Sequence, residues 1–224
     1  MYFKNILSIL VVAGIVMGLS GCGSNDSSTV AVNTNEYNIL PLPTTDYEAD
    51  LNLVYSTGET ATMNLSRIYT GDSFFNGIPV KNVHQTNTIT SNGTTSVSSA
   101  DTKYDSNGIG LETEYSGGTI CTLQNTPTPL PTTGKVGDSS TVTGDSSCTD
   151  GARKTERWSI LDAGNGNAYI IFTFSNYDIA GSLVSIEKQK FTVNSSSIVT
   201  YVYLDYQSIL SGLTVTGGGT VQLQ

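Results

Sequence analysis

Tyr47-Glu48-Ala49-Asp50-Leu51-Asn52-Leu53-Val54-Tyr55 sets the reading of this chain. Tyr47, Ala49, Leu51, Leu53 and Tyr55 fall on one face and Glu48, Asp50 and Asn52 on the other, the period of two that belongs to a half-buried strand. Beyond Ser56-Thr57-Gly58-Glu59 the alternation resumes at Ala61, Met63 and Leu65. The two runs predict an antiparallel hairpin with one face in a core and one in water.

Turn chemistry extends the pattern downstream. Asn76-Gly77, Asn92-Gly93 and Asn107-Gly108 recur about every fifteen residues, and Asn-Gly tolerates the positive φ that a tight reversal needs at both central positions. Residues 86–102 are mostly Thr, Ser and Asn, polar on both faces, so alternation leaves their register open. Thr126-Pro127-Thr128-Pro129-Leu130-Pro131 excludes a central strand, because each proline removes a ladder donor; it reads as a surface loop. The apolar density then rises in 157–161, 168–174, 182–193, 198–206 and 213–223, β-branched and aromatic runs cut by Gly, Asn and Asp. Helical spacing is confined to a possible turn near 208–213. Ten or so sequential strands predict an all-β domain, an antiparallel meander curled into a barrel, half-barrel or sandwich.

The N-terminus reads differently. Behind Lys4, residues 6–19 form an apolar run broken only by Ser8, Gly14 and Gly18. At about 14 residues it has the length of a signal-peptide core and falls short of the roughly 20 that span a bilayer. Small residues at Ser20 and Gly21 then precede Cys22. Leu19-Ser20-Gly21-Cys22 resembles the lipobox of bacterial lipoproteins at all four positions. That resemblance implies cleavage before Cys22, a diacylglycerol thioether on its sulfur and an acyl chain on its new amino group. Several chains anchor stably where one binds marginally, each buried methylene contributing about 0.8 kcal/mol. Gly23, in place of Asp, implies outer-membrane sorting in a Gram-negative cell; in a Gram-positive cell the anchor lies in the plasma membrane. The expected division is a signal peptide over 1–21, a lipidated flexible tether over 22–40 and a single β domain over 41–224.

Removal of Lys4 reduces the ten basic side chains to nine against nineteen acidic ones. An acidic chain argues against a nucleic-acid partner, since phosphate binding relies on Lys and Arg; the one basic cluster, Arg153, Lys154 and Arg157, reads as a solvated strand end. With Cys22 lipidated, Cys121 and Cys148 remain as an even pair in an exported chain, expected to form a disulfide.

Sites of chemistry are sparse. His84, the sole histidine, sits in a polar strand and reads as exposed. Gly-Asp-Ser at 71–73, 137–139 and 144–146 resembles the nucleophile block of GDSL-type esterases over three residues only. None is followed by Leu, and there is no Asp-x-x-His. The copies at 137 and 144 read as two similar turns. Asp105-Ser106-Asn107-Gly108 and residues 162–167 are oxygen-rich but lack a calcium-loop pattern, and read as turns. Glu112 and Glu114 share a strand face, which reads as solvated. Tyr201 and Tyr203 share a face with Val199 and Asp205 and form a possible ligand face, because rigid aromatics with polar tips suit sugars, lipids and proteins. No catalytic constellation, metal site or cofactor emerges. The expectation is a membrane-anchored, non-enzymatic module that binds a protein, amphiphilic or saccharide partner; a structural or adhesive surface role and a hydrolase are the rivals.

Overall fold

A computed structural model describes residues 33–140 and 144–223; Leu19-Ser20-Gly21-Cys22 lies outside them. The leading hairpin forms as its alternation demands. β2 (Tyr47–Tyr55) and β3 (Thr60–Phe75) pair so that Leu51 faces Met63 and Ala49 faces Leu65, all buried. A short β1 (Glu36–Asn38) precedes them. There follow β4 (Ile78–Ser91), β5 (Thr94–Tyr104), β6 (Gly110–Tyr115), β7 (Ile120–Leu123), β8 (Thr133–Lys135), β9 (Gly144–Cys148), β10 (Arg153–Gly164), β11 (Asn167–Tyr177), β12 (Leu183–Val193), β13 (Val199–Ser208) and β14 (Thr214–Leu223).

All except β1 and β8 join one antiparallel barrel in chain order, closed where β14 meets β2. Of the three architectures the pattern allows, the barrel is adopted, and its closure pairs the first and last strands of the series with each other. At Asn76-Gly77 and Asn92-Gly93 both residues have positive φ, the two-residue reversal that matches strand twist. The polar strands β4 and β5 take their register from neighbours. Met63 lies opposite Ile89 and Ile89 opposite Ser96, so that row faces inward.

The closing seam requires glycine. At Gly217 and Gly219 an added Cβ would fall 2.3 Å from the Asn52 carbonyl oxygen and 1.9 Å from that of Asp50. The backbones of β14 and β2 approach there more closely than any side chain permits. At the other seam the chain leaves after β7 and returns as β9. Cys121 and Cys148 stand directly opposite one another, facing inward, with their sulfurs at bonding distance.

One end of the barrel is plugged, and this corrects three expectations. The domain begins before residue 41. β1 pairs with β8, Tyr37 and Ile39 are fully buried, and Asn33, Asn35 and Tyr37 bond to the β10–β11 turn through Asp162, Gly166 and Asn167. The alternating Tyr37 and Ile39 are too short a run to stand out in a polar stretch, yet they fill the barrel mouth. The proline segment is not wholly a surface loop either: Leu130 is buried beside Ile39 and Ile109 in that plug, and its N–H donates to the Asn107 carbonyl. Of the two Gly-Asp-Ser copies in the cysteine loop, only the first is a turn, with Gly137 at φ 99°; the second is strand β9.

Candidate functional site

The barrel wall sorts its inward residues into two halves. Trp158, Ile160, Ile170, Phe172, Phe191 and Val202 pack with Leu51, Leu53 and Leu65 into a dense apolar core. Phe191 makes edge contacts with Tyr47 and Phe172, centroids 5.8 and 6.1 Å apart. The inward rows of β4 to β6 mix polar residues among Val83, Ile89 and Leu111: Asn87 opposes Ser98, and Gln85 opposes Ala100, which opposes Tyr115. On the facing wall Lys154, Glu156, Asn176 and Glu187 share the inner face. These side chains keep partial exposure while pointing into a closed barrel. Polar and charged side chains from both walls thus face one another on that side of the interior.

Its electrostatics follow from position. Burial alone would lower the Lys154 ammonium, but the Tyr115 phenol and the Glu187 and Glu156 carboxylates prevail and hold it above the ordinary lysine value. Lys154 Nζ donates to the Tyr115 hydroxyl at 3.3 Å and lies 4.3 Å from the Phe174 ring centroid. Burial raises Glu156 despite the opposing pull of Lys154 and Arg67. Arg67 donates through Nη2 to the Pro43 carbonyl and to the Tyr104 hydroxyl, stitching the plug to the wall. Arg67 Nε and Trp158 Nε1 are buried and find no acceptor among the described residues. Buried donors are rarely left so, because an unpaired one costs about 1–3 kcal/mol.

This cluster was missed by sequence reading, and Lys154 was misread. Of the basic trio, Arg153 and Arg157 do lie on the solvated face, Arg153 beside Asp145 at 3.5 Å. Lys154, one residue on, points inward. The available signal was the alternation Lys154, Glu156, Trp158, Ile160, which places two charges on the face of a buried tryptophan.

The other candidates lie outside. His84 Nδ1 sits 2.8 Å from Asp101 on the exposed outer wall. Glu112 pairs with Lys103 and Glu114 faces Asp101, both on that same wall. Asp105 caps its own turn by accepting from the N–H groups of Asn107 and Ile109, and Asp162 does the same for Gly164. Tyr201 and Tyr203 face outward, while a bulge at Thr192/Val193 turns Val199 inward, so Val199 does not share their face. Lys190 lies between the Tyr169 and Tyr203 rings, 4.6 and 4.3 Å from their centroids, and an added Cβ at Gly218 would meet the Tyr201 ring at 2.5 Å. The two tyrosines thus belong to an outer ladder that rests on a glycine and is partly covered by lysine; they line no cavity. No family model, curated protein or solved structure matches the chain.

Next to this ladder Asp205 is only 8% exposed; Lys188 Nζ stands 3.4 Å from its Oδ2. Burial outweighs Lys188 and Lys190 and pushes its pKa up to about 6. A carboxyl raised on folding contributes stability that is fully present below its unfolded value near 3.8 and is lost as pH rises through 6. Asp205→Asn will therefore stabilise the protein at pH 8 by on the order of 2 kcal/mol and change little at pH 4. Denaturant titrations of parent and variant at pH 4, 6 and 8 check this; an equal difference at all three would refute it.

Proposed function

We propose that this chain is an envelope lipoprotein, anchored through acyl chains on Cys22, whose barrel holds a small polar or amphiphilic ligand against the polar side of its interior. What carries the reading is the inward set Lys154, Glu156, Glu187 and Tyr115, charged and hydroxyl groups gathered on the inner face of a closed barrel. Mixed donors and acceptors beside apolar side chains suit a molecule bearing hydroxyl or carbonyl groups. The plug of Tyr37, Ile39 and Leu130 blocks one end, so the ligand enters from the other. In a Gram-negative cell the anchor lies in the outer membrane; in a Gram-positive one it lies in the plasma membrane.

Native mass spectrometry of the protein released from its own envelope by mild detergent tests the ligand. A discrete co-purified lipid or glycan mass, lost from the Glu156→Leu variant, is the expected result. A bare protein mass, with neighbours appearing only after cross-linking, would favour a surface-assembly role. The anchor has its own test. Cys22→Ser should leave the membrane fraction apart from unprocessed precursor, and retention of the processed form would disprove acylation.

A further inference from the structure

The longest hairpin overshoots the barrel. β3 and β4 run for 16 and 14 residues, whereas β2 has 9. β2 pairs with β3 only from Thr60 to Arg67, and β5 pairs with β4 only from Lys81 onward. Ser73 to Phe75 and Ile78 to Val80 therefore pair with each other alone and run past the neighbouring strands as a short two-stranded ribbon. Its tip reads Phe74-Phe75-Asn76-Gly77-Ile78-Pro79. Val80 is buried, and Phe75, at the tip itself, is half-buried against the core with Lys103 over its ring, so one side of the ribbon rests on the wall; on the tip's free side Phe74 is 75% exposed and Ile78 45%. A projecting tip that shows a phenylalanine, an isoleucine and a proline to water costs free energy unless something covers it.

Topology says what lies near. Antiparallel alternation puts the β3–β4 turn at the same barrel end as the β10–β11 turn, and it is there that Asn33 donates to the Asn167 carbonyl at 2.9 Å. The chain thus arrives from Cys22 at the end from which this ribbon projects. The far end also exposes apolar side chains, Ile179 at 81% and Leu210 at 79%, so chain reach must decide between them. Ten residues lie between Cys22 and Asn33, and the eleven Cα–Cα steps they make cover at most about 38 Å when fully extended. A strand of the length of β10 tilted as barrel strands are gives a barrel roughly 30 Å tall. To bring the far end to the membrane, those ten residues would have to run straight along the whole barrel. To bring the β3–β4 tip there they need no such extension.

We infer that the β3–β4 tip is a membrane-contact element, with Phe74, Ile78 and Pro79 seated at the headgroup–acyl boundary of the lipid surface that holds Cys22. Aromatic and aliphatic side chains on a projecting edge gain by entering that boundary, and the gain needs no lipid charge. The ribbon then fixes the barrel's orientation, with its plugged end on the lipid and the far end turned away. This rests on the acyl anchor proposed above.

The acylated full-length protein, reconstituted into phosphatidylcholine vesicles, tests it. Phe74→Trp and, separately, Leu210→Trp add a reporter to the buried Trp158; both sites are exposed enough to accept tryptophan without repacking. The expected result is a blue-shifted residue-74 emission, quenched at least twofold by bromine-labelled acyl chains, with residue 210 unaffected. Quenching at residue 210 instead would invert the orientation and overturn the inference. So would vesicle-bound protein with neither residue quenched. Protein that fails to float with the vesicles at all would overturn the anchor, and this assignment with it.

Discussion

Gly219→Ala will prevent the barrel from closing. Its Cβ would lie 1.9 Å from the Asp50 carbonyl oxygen and 2.7 Å from the carbonyl carbon. Both are backbone atoms of β2, so no rotamer change relieves the overlap, and relief must come from separating β14 and β2. That seam is formed by the two ends of the strand series, with no hairpin to hold its register. We expect a loss of about 3 kcal/mol or more, at the upper range for overpacking. The freed strand edges should also make the variant prone to self-association. Gly117→Ala serves as the control, since that turn position has open space and no positive φ; it should stay within about 0.5 kcal/mol of the parent. Urea denaturation followed by near-ultraviolet dichroism measures both. A Gly219→Ala protein as stable as the control would mean that the seam is looser than described.

The second seam depends on the cysteines. β7 has only 4 residues and pairs at three positions with β6 and three with β9. Between β7 and β9 the chain departs to build β8 and part of the plug, so the return must be fixed by something other than a tight turn. Replacing both Cys121 and Cys148 with serine should cost roughly 3–4 kcal/mol on the chain-entropy account for a loop of about 28 residues. Burial of Cys121 adds to this, because its serine would put a hydroxyl on an inward position. The midpoint of urea denaturation should fall with the double variant and also with reductant on the parent. Non-reducing mass spectrometry should find the two peptides joined; two free thiols in protein recovered from the envelope would refute the linkage.

These seams show how local and distant information divide in this chain. Alternation in β2 and β3 was legible because Tyr47, Ala49, Leu51 and Leu53 must share a face whatever they pack against. The Asn-Gly reversals were legible for the same reason, since positive φ is a property of the turn itself. The cysteine pair could be read from parity, once Cys22 is set aside by its resemblance to a lipobox. The gradient from polar tether to domain was harder. Tyr37 and Ile39 are two apolar residues in a polar run, and only the barrel mouth makes them core.

The interior site was the least legible. Lys154 and Glu156 lie on an ordinary alternating strand, and which face turns inward depends on the register shared with β9 and β11. Val199 shows the same limit from the other side, because a one-residue bulge removed it from the face of Tyr201 and Tyr203. By itself the sequence determined strand content, turn positions and the all-β class, because these follow from side-chain period and backbone propensity over a few residues. Only the tertiary structure decided that the meander closes, that four charged side chains, Arg67, Lys154, Glu156 and Glu187, face one another inside it, and that the β3–β4 tip runs past the strands beside it. Each of these is set by pairings between strands far apart in the chain, where a shift of one residue exchanges inside for outside.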